Sequence, residues 1–386
     1  MAKKKRRGHG EGTVFLRKDG RWQASFIDSN GKRRYFYGLK QSEALERMRR
    51  AQEEDKQGIL ASGPNQLLGV YITEWLEHVH KPTIRIASYL TYRSMIKNHI
   101  LPALGQLTLR QLTPQQVQAF YSTLLNEKKL APQTVSLIHA ILHSALENAV
   151  RWNLVPRNVT ALVSSPQTEQ YEPVVISPDE AKRLLDLARG NRMYAIVLLA
   201  VTTAARRGEI LSLRWSDIDL KQGVIFIHRT MNRYSGYGFV ENDAKTRAGR
   251  RKVVLPAVVL QALLEHKAMQ EDARQKASAK WKERNLVFCT STGNYIQPAY
   301  VWERFRKLLA KAGLPDMRFH DLRHSAATIL LTMGVHPKVV QELLGHSSIA
   351  ITMNVYSHLL PSMQGDAMGM INDVFKDDEE EEKEEN

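Results

Sequence analysis

Two histidines, an arginine and a tyrosine stand between His320 and Tyr356, in the stretch HDLRHSAATILLTMGVHPKVVQELLGHSSIAITMNVY, in an order suited to chemistry on a phosphodiester. His320 and Arg323 are three residues apart, where Leu322, Ala326, Ile329, Leu330 and Met333 recur at helical spacing. Both side chains therefore leave one helical face at adjacent points, a proton carrier beside a fixed cation. Gly334 to Pro337 reads as a turn into a second helix that stops at Gly345, with His346 immediately beyond the stop and Tyr356 ten residues further on. Taken alone, the stretch is equally readable as a helix-turn-helix with scattered polar residues. The rest of the chain has to decide.

Cutting DNA with a side-chain nucleophile requires the phosphate charge to be neutralised and the charge added in the transition state to be held. Arginine does this best, because guanidinium is always charged and forks onto phosphate oxygens. Arg323 is one candidate. Arg206 is the other, placed at the end of an apolar helix with Glu209 close enough to orient it. Tyrosine can attack to give a covalent phosphotyrosine, but its ordinary pKa of about 10 calls for a base, and His320 suits that task. The departing 5′ oxygen needs a proton, for which Lys245 in Asp243-Ala244-Lys245-Thr246 is the choice among several cations on one hairpin, and His346 would donate a hydrogen bond to the phosphate.

The elements that must position these groups fall into successive blocks, so the chain is expected to be multidomain. After the basic arm Lys3, Lys4, Lys5, Arg6 and Arg7, residues 13 to 57 read as a three-stranded sheet plus a helix that Ser42 can cap, making 1–57 one unit. Residues 58–65 read as a linker, and 66–163 as an all-α helical bundle. In it, Thr113-Pro114-Gln115-Gln116 forms a capping box, Pro132 opens a helix that runs out near Trp152, and Arg93 and Lys97 lie among the exposed cations. A second linker, 164–175, leads to a mainly α domain at 176–362, of the α+β type with a small antiparallel sheet. Ser177 caps its first helix, and Met193 to Thr203 should be a buried helix leading to a second that ends in Leu211, Leu213 and Trp215. Val224 to Thr230 and Lys252 to Leu255 read as strands flanking a further strand and a cationic hairpin, and helices follow at 256 to 283 and 298 to 312. Residues 363–386 read as an amphipathic helix and an acidic tail.

Charge points to the same partner. The net charge is +15, and the acidic run Asp377 to Glu385 contributes −7 of its own, so the remainder carries +22. That favours a polyanion bound with steep salt dependence. A single cysteine, Cys289, excludes an internal disulfide framework and a multi-cysteine zinc site and suits a reducing compartment. The basic N-terminus has no apolar segment behind it, and no apolar run reaches spanning length, so a soluble, cytoplasmic, nucleoid-associated protein with no membrane contact is expected.

Arg206-Arg207-Gly208-Glu209, Lys245-Thr246, His320-Asp321-Leu322-Arg323-His324, Leu344-Gly345-His346 and Tyr356 resemble, in order and spacing, the motifs of the tyrosine recombinases. The similarity covers nearly the whole chain. The N-terminal unit resembles the arm-binding domain of lambda-type phage integrases, the helical bundle their core-binding domain, and 176–362 their catalytic domain. The resemblance implies a C-shaped clamp on double-stranded DNA, contacts to core-type and arm-type attachment sites, a 3′-phosphotyrosine intermediate, a Holliday junction and a homotetrameric synapse, with no metal, ATP or other cofactor. It brings a host DNA-bending protein and an excisionase into view as further partners, and implies integration and excision of a phage or other mobile element. One departure is Ala204, where the family usually has glycine two positions before the arginine. The competing readings are a non-catalytic helix-turn-helix regulator and a DNA-relaxing enzyme of the type IB topoisomerase kind, which shares the chemistry.

Overall fold

The computed structural model describes residues 12–29, 31–56, 65–168, 171–244 and 247–356, together with 365, 368, 369, 371 and 372. The chain divides into two compact units, Met1–Gln170 and Tyr171–Asn386.

The first unit opens with β1 (Thr13–Leu16), β2 (Trp22–Ile27) and β3 (Arg33–Gly38), an antiparallel sheet in that order, backed by α1 (Gln41–Lys56). Strand alternation turns Ala24 and Phe26 onto Ala44, Met48 and Ala51 of the helix. The other face keeps Phe15, Ile27, Tyr35 and Tyr37 exposed. Ser42 does not cap α1. The helix begins at Gln41, two residues before the start that a Ser42 cap would set, and Glu43 instead accepts the Leu39 N–H at 3.1 Å.

Helices α2 (Leu68–Glu74, continued by a π turn Trp75–His80), α3 (Ile86–Met95, continued by a π turn Ile96–Ile100), α4 (Leu101–Leu104), α5 (Pro114–Asn126) and α6 (Pro132–Arg151) complete this unit. They enclose a separate core containing Tyr71, Trp75, Ile100, Tyr121, Ile138 and Leu142, within which the Tyr71 hydroxyl donates to the Ala145 carbonyl at 2.7 Å. The Thr113 capping box forms as expected, with Gln116 Oε1 accepting the Thr113 N–H at 2.9 Å.

The second unit runs α7 (Pro178–Ala188), α8 (Arg192–Thr203), α9 (Arg207–Ser212), β4 (Ile218–Asp219), β5 (Val224–Ile227), β6 (Arg229–Tyr234), β7 (Gly238–Asp243), β8 (Arg251–Val254), α10 (Ala257–Ala277), α11 (Pro298–Ala312), α12 (Asp321–Thr332), α13 (Pro337–Leu344) and α14 (Ile349–Tyr356). Ser177 caps α7 through a full capping box, and α8 is buried along most of its length. Two small antiparallel sheets replace the single one expected: β4-β5-β8 and the ribbon β6-β7. The strand expected from Val224 to Thr230 breaks at His228, because Arg229 leaves the apolar seam to pair with Asp217 while Arg214 holds Glu241 at 2.9 Å. Two helices are shorter than expected. Helix α9 stops at Ser212, where Leu213 turns extended and accepts the Val287 N–H at 2.9 Å, and α10 stops at Ala277, where Ser278 takes a left-handed φ of 44°. No helix among the described residues is long and apolar enough to cross a membrane.

Candidate active site

Helix α8 ends at Ala204, whose left-handed backbone (φ 52°, ψ 24°) turns the chain sharply so that Arg206 becomes the first residue outside α9. Glycine at 208 is what lets α9 lie on β6: a Cβ there would stand 2.4 Å from Thr230 Oγ1 and 2.8 Å from the Met231 carbonyl oxygen. Glu209 then faces back. Its Oε2 accepts the Arg206 backbone N–H at 2.9 Å and its Oε1 accepts Arg206 Nη1 at 2.8 Å, confirming the pairing expected from the sequence. Burial pushes the Glu209 carboxyl up, but Arg251 and Arg206 outweigh it and hold the group below the usual carboxylate range. The Arg206 side chain itself remains 40% exposed, free to face a ligand.

His320 precedes α12 and makes no side-chain capping bond to it, so the imidazole is not spent on holding its own helix. It lines an open cleft of about 640 Å³ together with Arg206, Thr230, Asn232, Trp302 and Arg318. Although the ring reaches solvent, its partial withdrawal from water, followed by the charges of Arg323, His324, Arg206 and Arg318, pushes its pKa down to about 4. It is neutral near pH 7 and able to accept a proton. His324 packs edge-on against it, with centroids 5.4 Å apart.

Arg323 is 2% exposed and donates Nη1 to the Ala204 carbonyl at 2.7 Å and Nη2 to the Leu344 carbonyl. Those two carbonyls close α8 and α13, whose C-terminal ends carry partial negative charge. One buried guanidinium therefore ties the turn before Arg206 to the turn before His346. Gly345 ends α13 in the left-handed conformation (φ 65°), as its place in the sequence predicts. His346 is fixed by Gln341, which accepts its N–H at 3.1 Å and donates to its carbonyl at 2.8 Å. Its Nδ1 lies 2.9 Å from Thr352 Oγ1, leaving Nε2 for a substrate. Burial and then Arg323 and Arg206 push its pKa down to about 4.

Arg206, Glu209, His320, Arg323 and His346 are thus brought together. Tyr356 closes α14, and its side chain lies outside the described residues. Lys245 and the arm Lys3, Lys4, Lys5, Arg6 and Arg7 also lie outside them, as does most of 363–386, where the described positions are helical. The segment carrying Lys245 is bracketed by an Arg250–Asp243 ion pair at 2.8 Å. In the first unit, Arg93 and Lys97 are exposed one helical turn apart, and Arg93 lies over the Tyr89 ring at 5.4 Å. Sequence reading missed Arg251, which shares Glu209, and Asp321, Arg318 and Tyr171, which pin the start of α12. Only the alternation of β8, which sets Arg251 in phase with buried Val253, signalled the first.

Known proteins match this chain over most of its length. The profile of the Phage integrase family matches residues 175–363, and that of the Phage integrase, N-terminal SAM-like domain matches residues 67–125. A tyrosine recombinase XerC-like protein of Caldanaerobacter subterraneus subsp. tengcongensis is 29% identical over 90% of this chain and 94% of its own. Tyrosine recombinase XerC of Bacillus pumilus is 32% identical over 62% of this chain and 74% of its own. The Tn1549 transposon integrase, solved in complex with a circular intermediate DNA, aligns with a TM-score of 0.66 at 20% identity, covering 79% of this chain and 99% of that one. The chain belongs to the phage integrase family of tyrosine recombinases, enzymes that transfer DNA strands in site-specific recombination.

Proposed function

We propose that this chain integrates, and also excises, a phage or other mobile element, with Tyr356 as nucleophile and Arg206, Lys245, His320, Arg323 and His346 as its catalytic side chains. The observation that carries the reading is the buried Arg323 guanidinium, which joins the segments bearing Arg206 and His346 on the helix that begins beside His320. In this reading the tyrosine oxygen attacks the scissile phosphorus while His320 takes its proton, and a 3′-phosphotyrosine bond forms as the P–O5′ bond breaks. The 5′ oxygen leaves with a proton from Lys245. Arg206, Arg323 and His346 hold the phosphoryl oxygens, and the incoming phosphate offsets the arginine charges that depress His320, making it a better base in the complex than in the free protein. Reversal of the step by a partner strand's 5′ hydroxyl rejoins DNA.

The division of labour follows the chain: 1–57 binds arm-type sites, 66–163 grips core sites with Arg93 and Lys97 among its phosphate contacts, and 176–362 cuts and joins. Four copies assemble on two core sites and pass through a Holliday junction on cytoplasmic, nucleoid-associated DNA, with a host bending protein and an excisionase setting direction and the helix after Tyr356 contributing to assembly. The test is a suicide core-site substrate whose short fragment bearing the released 5′ hydroxyl diffuses away after cleavage. The wild-type protein is expected to form a covalent adduct that Tyr356→Phe does not. An adduct that persists in Tyr356→Phe overturns the assignment of the nucleophile.

A further inference from the structure

Arg251 opens β8 and takes the inward phase of that strand, opposite Ile227. Its side chain is only 6% exposed, and it forks onto one carboxylate, Nη2 to Glu209 Oε2 at 2.9 Å and Nη1 to Oε1 at 3.3 Å. The same two oxygens take the Arg206 backbone N–H and Nη1. Glu209 is therefore held between a buried arginine behind and a half-exposed arginine in front. A carboxylate with Arg206 as its sole cation could follow that mobile side chain or draw the guanidinium back from the cleft; one fixed at both oxygens from behind cannot. Arg251 also frames the second wall of the site, since a Cβ at Gly345 would lie 3.2 Å from its Nη1 and 3.4 Å from its Cδ.

We infer that Arg251 is a positioning residue for strand cleavage, its buried fork on Glu209 fixing the Arg206 guanidinium toward the scissile phosphate. The inference rests on Arg206 binding that phosphate, so both assignments enter one experiment. Single-turnover cleavage is measured for wild type, Arg206→Ala, Arg251→Met and Arg251→Lys on an ordinary core site and on one carrying a neutral methylphosphonate at the scissile position, where less cation is needed. Arg206→Ala should lose about 10²-fold or more on the phosphodiester, and Arg251→Met, by misplacing Arg206, up to about 10²-fold. Both losses should shrink to within roughly threefold on the methylphosphonate, a split that reports ligand charge rather than folding.

Arg251→Met leaves the buried Glu209 without its rear cation, so melting curves and core-site binding accompany the rates. Arg251→Lys keeps a charge without the fork and carries the test should the methionine variant not fold; it should show the same split at smaller amplitude. If Arg206→Ala is relieved by the neutral phosphonate while the folded Arg251 variants lose equally on both substrates, or lose nothing, the inference about Arg251 is overturned. If Arg206→Ala itself is not relieved, the phosphate-binding role of Arg206 falls, and the inference with it.

Discussion

Arg323 donates from Nη1 to the carbonyl oxygen of Ala204 at 2.7 Å, and its Nη2 serves Leu344 in the same way. Lysine cannot reproduce two divergent donors from one planar head. Arg323→Lys should therefore release both helix ends at once, and single-turnover cleavage should fall by about 10²–10³-fold. Core-site affinity, which the proposed function assigns to cations outside this site such as Arg93 and Lys97, should change far less. Affinity falling in step with the rate would show that Arg323 acts mainly in binding.

Ala204 occupies, in a left-handed conformation, the position where the family usually carries glycine. The conformation costs a residue with a Cβ about 1–2 kcal/mol. Against that, its methyl is fully buried with Ala326, Ala327, Leu331, Val340 and Leu344. Burying one such group contributes roughly 0.8 kcal/mol, and avoiding glycine's unfolded-state freedom contributes about 0.4–1 kcal/mol. The effects nearly cancel. Urea unfolding of Ala204→Gly should thus lie within about 1 kcal/mol of wild type, whereas Ala204→Val, β-branched at positive φ in a packed cluster, should cost several times that.

Much of the site could be read from the sequence because its residues sit at helix boundaries that announce themselves. Gly345 marks the stop that delivers His346, the apolar run to Thr203 marks the end that delivers Arg206, and three residues separate His320 from Arg323 on one helix. Contacts made across long separations were not legible. Glu209 finds its second cation 42 residues away, in a stretch where Arg250 and Lys252 offer the same charge, and only packing tells which one turns inward. The break at His228 was hidden likewise, since β5 and β6 read as one β-rich run until Asp217 draws Arg229 aside.

His320 and His346 are both pushed down to about 4, against an ordinary histidine value of about 6.5. An unfolded chain takes up protons at these positions near pH 6.5, and the folded one only near pH 4. Their contribution to stability is therefore complete above about pH 6.5 and is lost as pH falls toward 4. His266 and His324 are lowered too and act in the same sense. The melting temperature should drop across this window, and the drop should be shallower in His320→Asn/His346→Asn. An unchanged slope in that double variant would assign the effect to the other histidines.

Asp321 is fully buried at the first turn of α12, directly after His320. Its Oδ2 accepts the Arg318 backbone N–H at 2.9 Å and the Tyr171 hydroxyl at 3.1 Å, while Oδ1 accepts Arg318 Nη2 at 2.9 Å. The Arg318 guanidinium in turn covers the Tyr171 ring at 3.6 Å. Residues ahead of α7 are thereby fastened to the turn that presents the proposed base. Tyr171→Phe keeps the ring and removes one hydrogen bond to a buried carboxylate, which should cost about 1.5–3 kcal/mol. Asp321→Ala should cost more, because it strips the Arg318 N–H and the tyrosine hydroxyl together. If these residues act as one latch, the double variant should fall short of the sum of the singles by more than about 0.5 kcal/mol in urea unfolding. Simple additivity would mean that Tyr171 and the start of α12 are secured independently, and that the latch does not set the position of His320.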